Sequence, residues 1–207
     1  MSTSSNQHDV FTFAETIRKR IAKEHRLVLH KFEGLGPVPL PDVDAPKLPG
    51  FYGVALGEGV KMSCYAAAVT SGALVYVGSS KDLDERMKQY RRRRLSGVRS
   101  VPAEQLMVTW LPMPDVGEAK AVEDRMIELL VPVWNQRWLS GFGSSAQGAN
   151  RSEQAKLPWD VLHPGREGVA NGAPKLNRHD LQAMVVEHLD QTKLPIPRAW
   201  KHGDAAA

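Results

Sequence analysis

Four side chains in the central part of the sequence carry groups that could act together in a reaction: Tyr52, Tyr76, Arg86 and Glu123. A carboxylate such as Glu123 can hold one hard divalent cation, which keeps several waters of its own. The guanidinium of Arg86 stays charged and presents a planar fork that matches phosphate geometry. A tyrosine has an ordinary pKa of about 10, so it moves a proton only with help from neighbouring charge. Taken singly, all four also have ordinary explanations, as strand aromatics or as solvated helix charges.

The elements that must position these groups follow from the hydrophobic pattern. Residues 50–56, 73–78 and 105–111 read as strands rich in residues that suit a pleated surface. Residues 82–94 and 117–131 carry apolar residues at helical spacing, and a proline ends the second helix. The order strand, strand, helix, strand, helix predicts an α+β fold, with a small central antiparallel sheet of about three strands flanked by helices.

The flanking regions differ in composition from this core. A helix is predicted from near Thr12, and residues 34–49 hold five prolines, which predict an extended, structureless connector. Residues 138–168 are rich in glycine and proline, and a last helix is predicted over 180–190, with a loose tail after Pro195. The predicted parts are an N-terminal arm, a core, and an irregular segment with a C-terminal helix (1–48, 49–137 and 138–207).

The composition excludes some classes of protein. The chain of 207 residues has a net charge of +4 and a pI of about 9.2, which weakly favours an anionic partner. A single cysteine, Cys64, excludes an internal disulfide, and neither it nor the histidines stand at zinc-ligand spacing. No apolar run reaches the roughly 18 residues of a membrane span, and the N-terminus lacks an apolar signal core. We therefore expect a soluble cytoplasmic protein with no membrane partner.

Two tripeptides, GFY ending at Tyr52 and YVG starting at Tyr76, resemble the signature of the GIY-YIG nucleases. As in that family, an arginine, Arg86, follows the second tyrosine by ten residues. Glu123 precedes Asn135 by twelve residues, and this asparagine follows a proline and an aromatic residue, as in the family. The resemblance covers residues 49–135.

The resemblance implies metal-dependent hydrolysis of DNA phosphodiesters. Glu123 would hold Mg²⁺, or Mn²⁺ in its place, and no small-molecule cofactor is expected. Arg86 would bind the phosphate, and Tyr76 would act on the attacking water as base or relay. One departure is Ser79, because many relatives carry lysine there. The resemblance gives six candidate catalytic residues: Tyr52, Tyr76, Arg86, Tyr90, Glu123 and Asn135.

A basic stretch continues from the proposed phosphate site. Residues 81–100 hold eight Lys/Arg against three Asp/Glu. Such a stretch could be a solvated helix end, but its continuity with the site favours a surface that binds DNA without sequence preference. The predicted contacts are Lys88, Arg91, Arg92, Arg93 and Arg94.

Residues 141–166 carry a second resemblance, to type II restriction endonucleases of the same superfamily, which share GFG, WD and HPGR. Arg151, Gln154 and Arg166 could then contact bases or phosphates. Alternatively, the segment has only a structural role and wraps the core around Trp159. For any one of these three residues, this structural role explains the sequence about as well as a contact with DNA. For His163, which has no partner at metal spacing, a structural role is favoured.

The leading hypothesis is therefore a prokaryotic type II restriction endonuclease. It would bind a short, palindromic double-stranded DNA site as a homodimer, because two-fold symmetry in the site matches two-fold symmetry in the protein. The resemblance also implies products with 5′-phosphate ends. The alternatives are a repair or structure-selective nickase of the same superfamily and an inactive DNA-binding module.

Overall fold

The computed structural model describes residues 35–95, 97–143, 154–166 and 168–192. The predicted helix near Thr12 and the predicted tail after Pro195 lie outside these residues.

A four-stranded antiparallel sheet forms the centre of the fold, with the strand order β1-β4-β2-β3. The three predicted strands are confirmed, since they form β2 (Gly50–Leu56), β3 (Leu74–Ser80) and β4 (Leu106–Pro112). The predicted structureless connector was wrong in part. It contains the two-residue strand β1 (Val38–Pro39), which pairs with β4, and a 3₁₀ turn at Leu40–Asp42.

Every residue of β2 is buried, because this strand lies between β3 and β4 and both of its faces are covered. One face packs into the main core, to which Tyr52 and Val54 belong. The opposite face, with Phe51, packs against Val122 and Met126. The sheet is therefore a layer between two apolar clusters.

Five α-helices surround the sheet in the described part of the chain. Two of them carry candidate site residues: α2, whose start is capped by the Asp82 carboxylate on Glu85 N at 2.9 Å, and α3, capped by Asp115. The predicted helix 82–94 ends early, because the chain from Tyr90 onward widens into a single π-helical turn. The helices are α1 (Ala66–Ser71), α2 (Leu83–Gln89), α3 (Val116–Leu130), α4 (Pro158–Leu162) and α5 (Arg178–Gln191), and the π turn is Tyr90–Arg94.

Helix α3 ends at Leu130, and the next residue, Val131, adopts a left-handed conformation with φ of 45° that residues other than glycine rarely adopt. Pro132 follows and prevents the helix from continuing. The chain then returns through a 3₁₀ turn at Val133–Asn135, which contacts β3. Among the described residues, no helix is both long and apolar enough to cross a membrane.

Candidate active site

Three tyrosine hydroxyls meet on one face of the sheet. Tyr52 on β2 lies opposite Gly78 on β3, and Tyr76 lies two residues from Gly78 on the same face. Their ring centroids are 6.1 Å apart. Tyr90, the first residue of the π turn, completes the group, with its hydroxyl 2.7 Å from the hydroxyl of Tyr52. Tyr90 also forms a side-chain hydrogen bond with Tyr76, so it links the two strand tyrosines.

Tyr52 and Tyr76 are held in the neutral form. Burial, and then the neighbouring Tyr90, raise the pKa of Tyr52 well above its ordinary value, against an opposing effect of Arg86. The pKa of Tyr76 is also raised well above its ordinary value, by burial first, then by Tyr90 and by Glu123, with Arg86 again opposing. Tyr52 is 1% exposed, whereas Tyr76 is only partly buried, so Tyr76 is the more accessible of the two.

Arg86 projects from α2 one helical turn before Tyr90, so the two side chains share a face. Its Nε atom is buried and has no hydrogen-bond partner among the described residues. The guanidinium nevertheless acts electrostatically on both Tyr52 and Tyr76. A buried donor on a permanent cation, beside three hydroxyls, is an arrangement that suits an anion.

Glu123 projects from α3 toward β3, with its side chain 13% exposed. One carboxylate oxygen accepts a hydrogen bond from the Ser79 hydroxyl, and the other lies 3.3 Å from Lys120 Nζ. The Lys120 ammonium also lies 2.8 Å from Asp124. The Glu123 carboxylate therefore already accommodates a positive charge, and its hard oxygen atoms fit a divalent cation. The described residues contain no group of three His, Cys, Asp or Glu side chains that could form a metal cage, so such a cation would keep mostly water ligands.

Asn135 braces the strand that carries Tyr76. Its side-chain oxygen accepts a hydrogen bond from Val77 N at 2.8 Å, and its nitrogen donates to Val77 O at 2.8 Å. The amide thus pairs with both backbone groups at the outer edge of β3. This contact gives Asn135 a positioning role, through the backbone between Tyr76 and Gly78.

The sequence analysis missed the contribution of Phe142 and Gly143 to this site. The Phe142 ring stacks on Tyr90 at 5.0 Å and meets the edge of Tyr76 at 4.8 Å. A Cβ atom on Gly143 would lie 2.2 Å from the Tyr76 hydroxyl, so only glycine lets the backbone come this close. The GFG motif was the available signal, but its spacing alone did not show which residues it would meet.

A chain of buried hydrogen bonds runs beneath the site. Trp134 Nε1 donates to the Tyr65 hydroxyl at 2.8 Å, and that hydroxyl lies 2.8 Å from His163 Nε2. The second ring nitrogen, Nδ1, lies 2.9 Å from the Ser100 hydroxyl. All groups are satisfied if Tyr65 donates to Nε2 and Nδ1–H donates to Ser100. His163 is fully buried, and burial, then Arg178 and Arg166, lower its pKa to about 3, so it stays neutral in the favoured structural role.

The predicted DNA-contacting residues differ in their surroundings. Lys88 and Arg92 both reach the surface, and Lys88 forms an ion pair with Asp84 at 2.6 Å. Arg91 instead donates to the carbonyls of Leu40, Pro41 and Val43, so it ties the π turn to the segment after β1. Arg151 and the side chains of Arg93 and Arg94 lie outside the described residues.

Arg166 is placed in the core, and its predicted contact with DNA has to be corrected on geometric grounds. Its Nη2 atom lies 2.7 and 2.8 Å from the two carboxylate oxygens of Asp160, and both side chains are nearly inaccessible. It also donates to Gly141 O and packs over the Trp159 ring. For this arginine the structural alternative fits better. Gln154 is exposed, and its backbone carbonyl accepts a hydrogen bond from Gly172 N.

Comparison with known proteins identifies the family. The family model described as the Eco29kI GIY-YIG domain matches residues 55–191, which is more than half of the chain. The chain belongs to this family, a restriction-endonuclease branch of the GIY-YIG endonucleases. No curated protein matches the chain in sequence.

Among solved structures, the chain is similar to the GIY-YIG N-terminal endonuclease domain of UvrC from Thermotoga maritima, described as bound to its catalytic divalent cation, magnesium. The identity is 20%, the TM-score is 0.32, and the match covers 44% of this chain and 88% of that one. A point mutant of the same domain matches with 20% identity and a TM-score of 0.32, over 45% and 88% of the two chains.

Proposed function

We propose that this protein is a type II restriction endonuclease that cleaves a specific, palindromic double-stranded DNA site as a homodimer, with Mg²⁺ as cofactor and 5′-phosphate products. The observation that carries the catalytic part is the convergence of Tyr52, Tyr76, Arg86 and Glu123 around the edge strand β3, with the tyrosines on one face of the sheet and Glu123 reaching Ser79 from the helix on the other. Membership of the Eco29kI family supports restriction over repair.

Arg86 binds the scissile phosphate in this proposal. Its guanidinium has no hydrogen bond or ion pair with a described residue, and its Nε is already desolvated. A phosphate oxygen would satisfy this donor and would bring one negative charge to a site that holds an unpaired positive one. Because the guanidinium of Arg86 is in place before substrate arrives, it can stabilise the charge that develops on the phosphoryl oxygens.

Tyr76 serves as the base or relay for the attacking water. It is the more accessible strand tyrosine, and Tyr90 and Arg86 both act on it. Tyr52, which is buried, orients Tyr90 through its hydroxyl. Because burial keeps Tyr76 as a neutral phenol, it can take a proton from the water only as it loses its own, either beforehand as a base or in the same step as a relay. Positive charge nearby favours that loss by lowering the pKa of Tyr76, and Arg86 acts in that direction.

Glu123 holds the divalent cation, and Ser79 orients the carboxylate by donating to one of its oxygens. A bound cation would act as a Lewis acid at the phosphoryl oxygens. Asn135 keeps β3 in place, so that Tyr76 faces the phosphate while Ser79 faces Glu123.

Plasmid cleavage tests this proposal. Purified protein with Mg²⁺ should produce discrete double-strand fragments, whereas chelation of the metal should abolish them. Glu123→Gln should slow cleavage by more than about a hundredfold, because even the outer partners of metal ligands matter 10–100-fold. Glu128→Gln is the matched control, since Glu128 lies on the same helix in an exposed pair with Arg125. Nicks alone would favour a repair enzyme, and binding without cleavage would favour an inactive module. Equal cleavage by Glu123→Gln would refute the metal-ligand assignment.

A further inference from the structure

A basic pocket lies outside the candidate active site. It is open, has a volume of about 600 Å³, and brings together three separate segments of the chain. Its lining consists of Gly97, Arg99, Ser100, Pro164, Gly165 and Arg178. Two of these six residues are arginines and none is acidic, so the lining carries a formal charge of +2.

Glycines set the shape of this pocket. A Cβ atom on Gly97 would lie 2.2 Å from Gly165 O, and one on Gly165 would lie 2.1 Å from Gly97 O. Both glycines have positive φ, at 79° and 116°. The two backbones therefore touch. Beneath them, Ser100 is fixed by its hydrogen bond to the buried His163. The pocket thus rests on a rigid base that follows from the sequence HPGR.

Arg99 and Arg178 are not held by any of the residues that the structure describes. Arg99 and Arg178 are exposed, and neither has a hydrogen bond or an ion pair with any described residue. Arg178 is the first residue of α5, where the helix macrodipole disfavours a positive charge. Two like charges around one concavity also repel each other. An anion in the pocket would offset both of these unfavourable interactions.

The position of the pocket indicates which kind of anion it would bind. Gly97 follows Tyr90 of the active site by seven residues, which span at most about 25 Å even when fully extended. Two half-sites on duplex DNA are separated by about 34–36 Å per helical turn, so the two sites are close enough together to contact one duplex within a single turn. The arginine-rich π turn connects the two sites along the chain.

We propose that this pocket binds a backbone phosphate of the DNA duplex, through Arg99 and Arg178, at a distance from the phosphate that is cleaved. The inference rests on the proposed function, because the same duplex occupies the active site. The contact is to phosphate, so it contributes affinity and orientation without reading sequence. Arginine suits this role because its guanidinium can donate two parallel hydrogen bonds to phosphate oxygens.

The test is the salt dependence of DNA binding. Affinity for a fluorescent duplex is measured by anisotropy at several KCl concentrations, in a Glu123→Gln background that prevents cleavage, for Arg99→Gln and for Arg178→Gln. Each variant should bind more weakly whatever the sequence, and each should lower the slope of log K against log salt by about 1. Between 50 and 200 mM salt, the affinity of a variant that lacks one phosphate contact should therefore fall by a factor roughly threefold smaller than the affinity of the parent does.

Arg125→Gln is the matched control, because it removes the same charge from an arginine that is paired with Glu128 at 2.9 Å. The inference would be overturned if the pocket variants had the same slope as their parent, the Glu123→Gln chain. It would also be overturned if Arg125→Gln lowered the slope as much as they do. If the chain with Glu123 intact still cut DNA, the proposed function would stand without the pocket. If the Glu123→Gln parent did not bind duplex and the chain with Glu123 intact did not cut it, both the pocket and the proposed function would be overturned.

A second arm separates duplex phosphate from a free anion. Inorganic phosphate is added at constant ionic strength to the parent protein and to the two pocket variants. Weak competition that does not differ among the three supports the duplex assignment. Strong competition that is lost in the variants would show a free-phosphate site and would overturn it. Circular dichroism should be unchanged and thermal stability should not fall in either variant, since neither arginine loses a hydrogen bond or an ion pair with a described residue.

Discussion

Replacing Gly78 with alanine would place a methyl group against both strand tyrosines of the site. The new Cβ atom would lie 2.6 Å from the Tyr52 hydroxyl oxygen, 2.7 Å from its Cζ and 2.8 Å from Tyr76 Cε1. Non-bonded carbon atoms prefer separations of about 3.5–4.0 Å, so the rings would have to move apart by roughly 1 Å. Tyr52 is 1% exposed and has no free space to move into.

This displacement has two measurable consequences. The hydrogen bond between the hydroxyls of Tyr52 and Tyr90, now 2.7 Å long, would be stretched beyond the normal range. Overpacking of this kind costs about 1–3 kcal/mol, which for a chain of this size corresponds to a fall in Tm of roughly 2–12 °C. A misplacement of about 1 Å in an active site can also reduce the rate about a hundredfold.

The assay is single-turnover plasmid cleavage at saturating Mg²⁺, at a temperature where circular dichroism shows the variant folded. Gly36→Ala is the matched control, because it adds the same methyl group where no atom lies within 4 Å. It should leave both the cleavage rate and Tm unchanged. Cleavage by Gly78→Ala at the normal rate would refute the reasoning, since the tyrosines would then tolerate displacement or would not take part.

Three further predictions concern charge. Lys120→Met should lower the Mg²⁺ concentration needed for half-maximal cleavage, because an ammonium 3.3 Å from the Glu123 carboxylate competes with the metal; a higher requirement would contradict this. Stability measured by urea unfolding should fall as pH rises above about 10, because the folded state holds phenol protons more tightly than the unfolded chain. The pKa is raised at three tyrosines: Tyr52, Tyr65 and Tyr76. Their ionisation, followed by absorbance at 295 nm, should therefore accompany unfolding and should not precede it. For His163 the sign is opposite: its pKa of about 3 means that the unfolded chain binds the extra proton, so stability is complete above about pH 6.5 and falls by about 1 kcal/mol per pH unit below it. His163→Gln should flatten that slope, and an unchanged slope would assign the acid sensitivity to other groups.

The sequence predicted the parts of the fold that depend on local pattern. Strand β2 has the predicted bounds, and β3, β4 and α3 differ from prediction by one or two residues. Strand β1 was missed because it has only two residues, one of them Pro39, and exists only through its pairing with β4. The π turn was missed because the run of arginines after Tyr90 is compatible with a continuous helix.

The functional residues show the same division between local and distant information. Motif spacing predicted Tyr52, Tyr76 and Arg86 as site residues, and the structure places Arg86 where its charge lowers the pKa of both tyrosines. The sequence could not show that Arg166 would meet Asp160 in the core, because the pairing depends on how α4 packs. It also could not show that Arg99 and Arg178, which are 79 positions apart, would line one pocket. Partners that are distant in sequence have no pattern from which to predict them.

The pairing of Asn135 with Val77 has a consequence for assembly. β3 lies at the edge of the sheet, and an exposed edge strand can recruit a strand from another molecule. The amide of Asn135 occupies the N–H and C=O groups that such a strand would need at Val77. A second copy therefore cannot pair one of its strands with β3 at Val77. The side chain that holds β3 in place also closes this position of the sheet edge to another molecule.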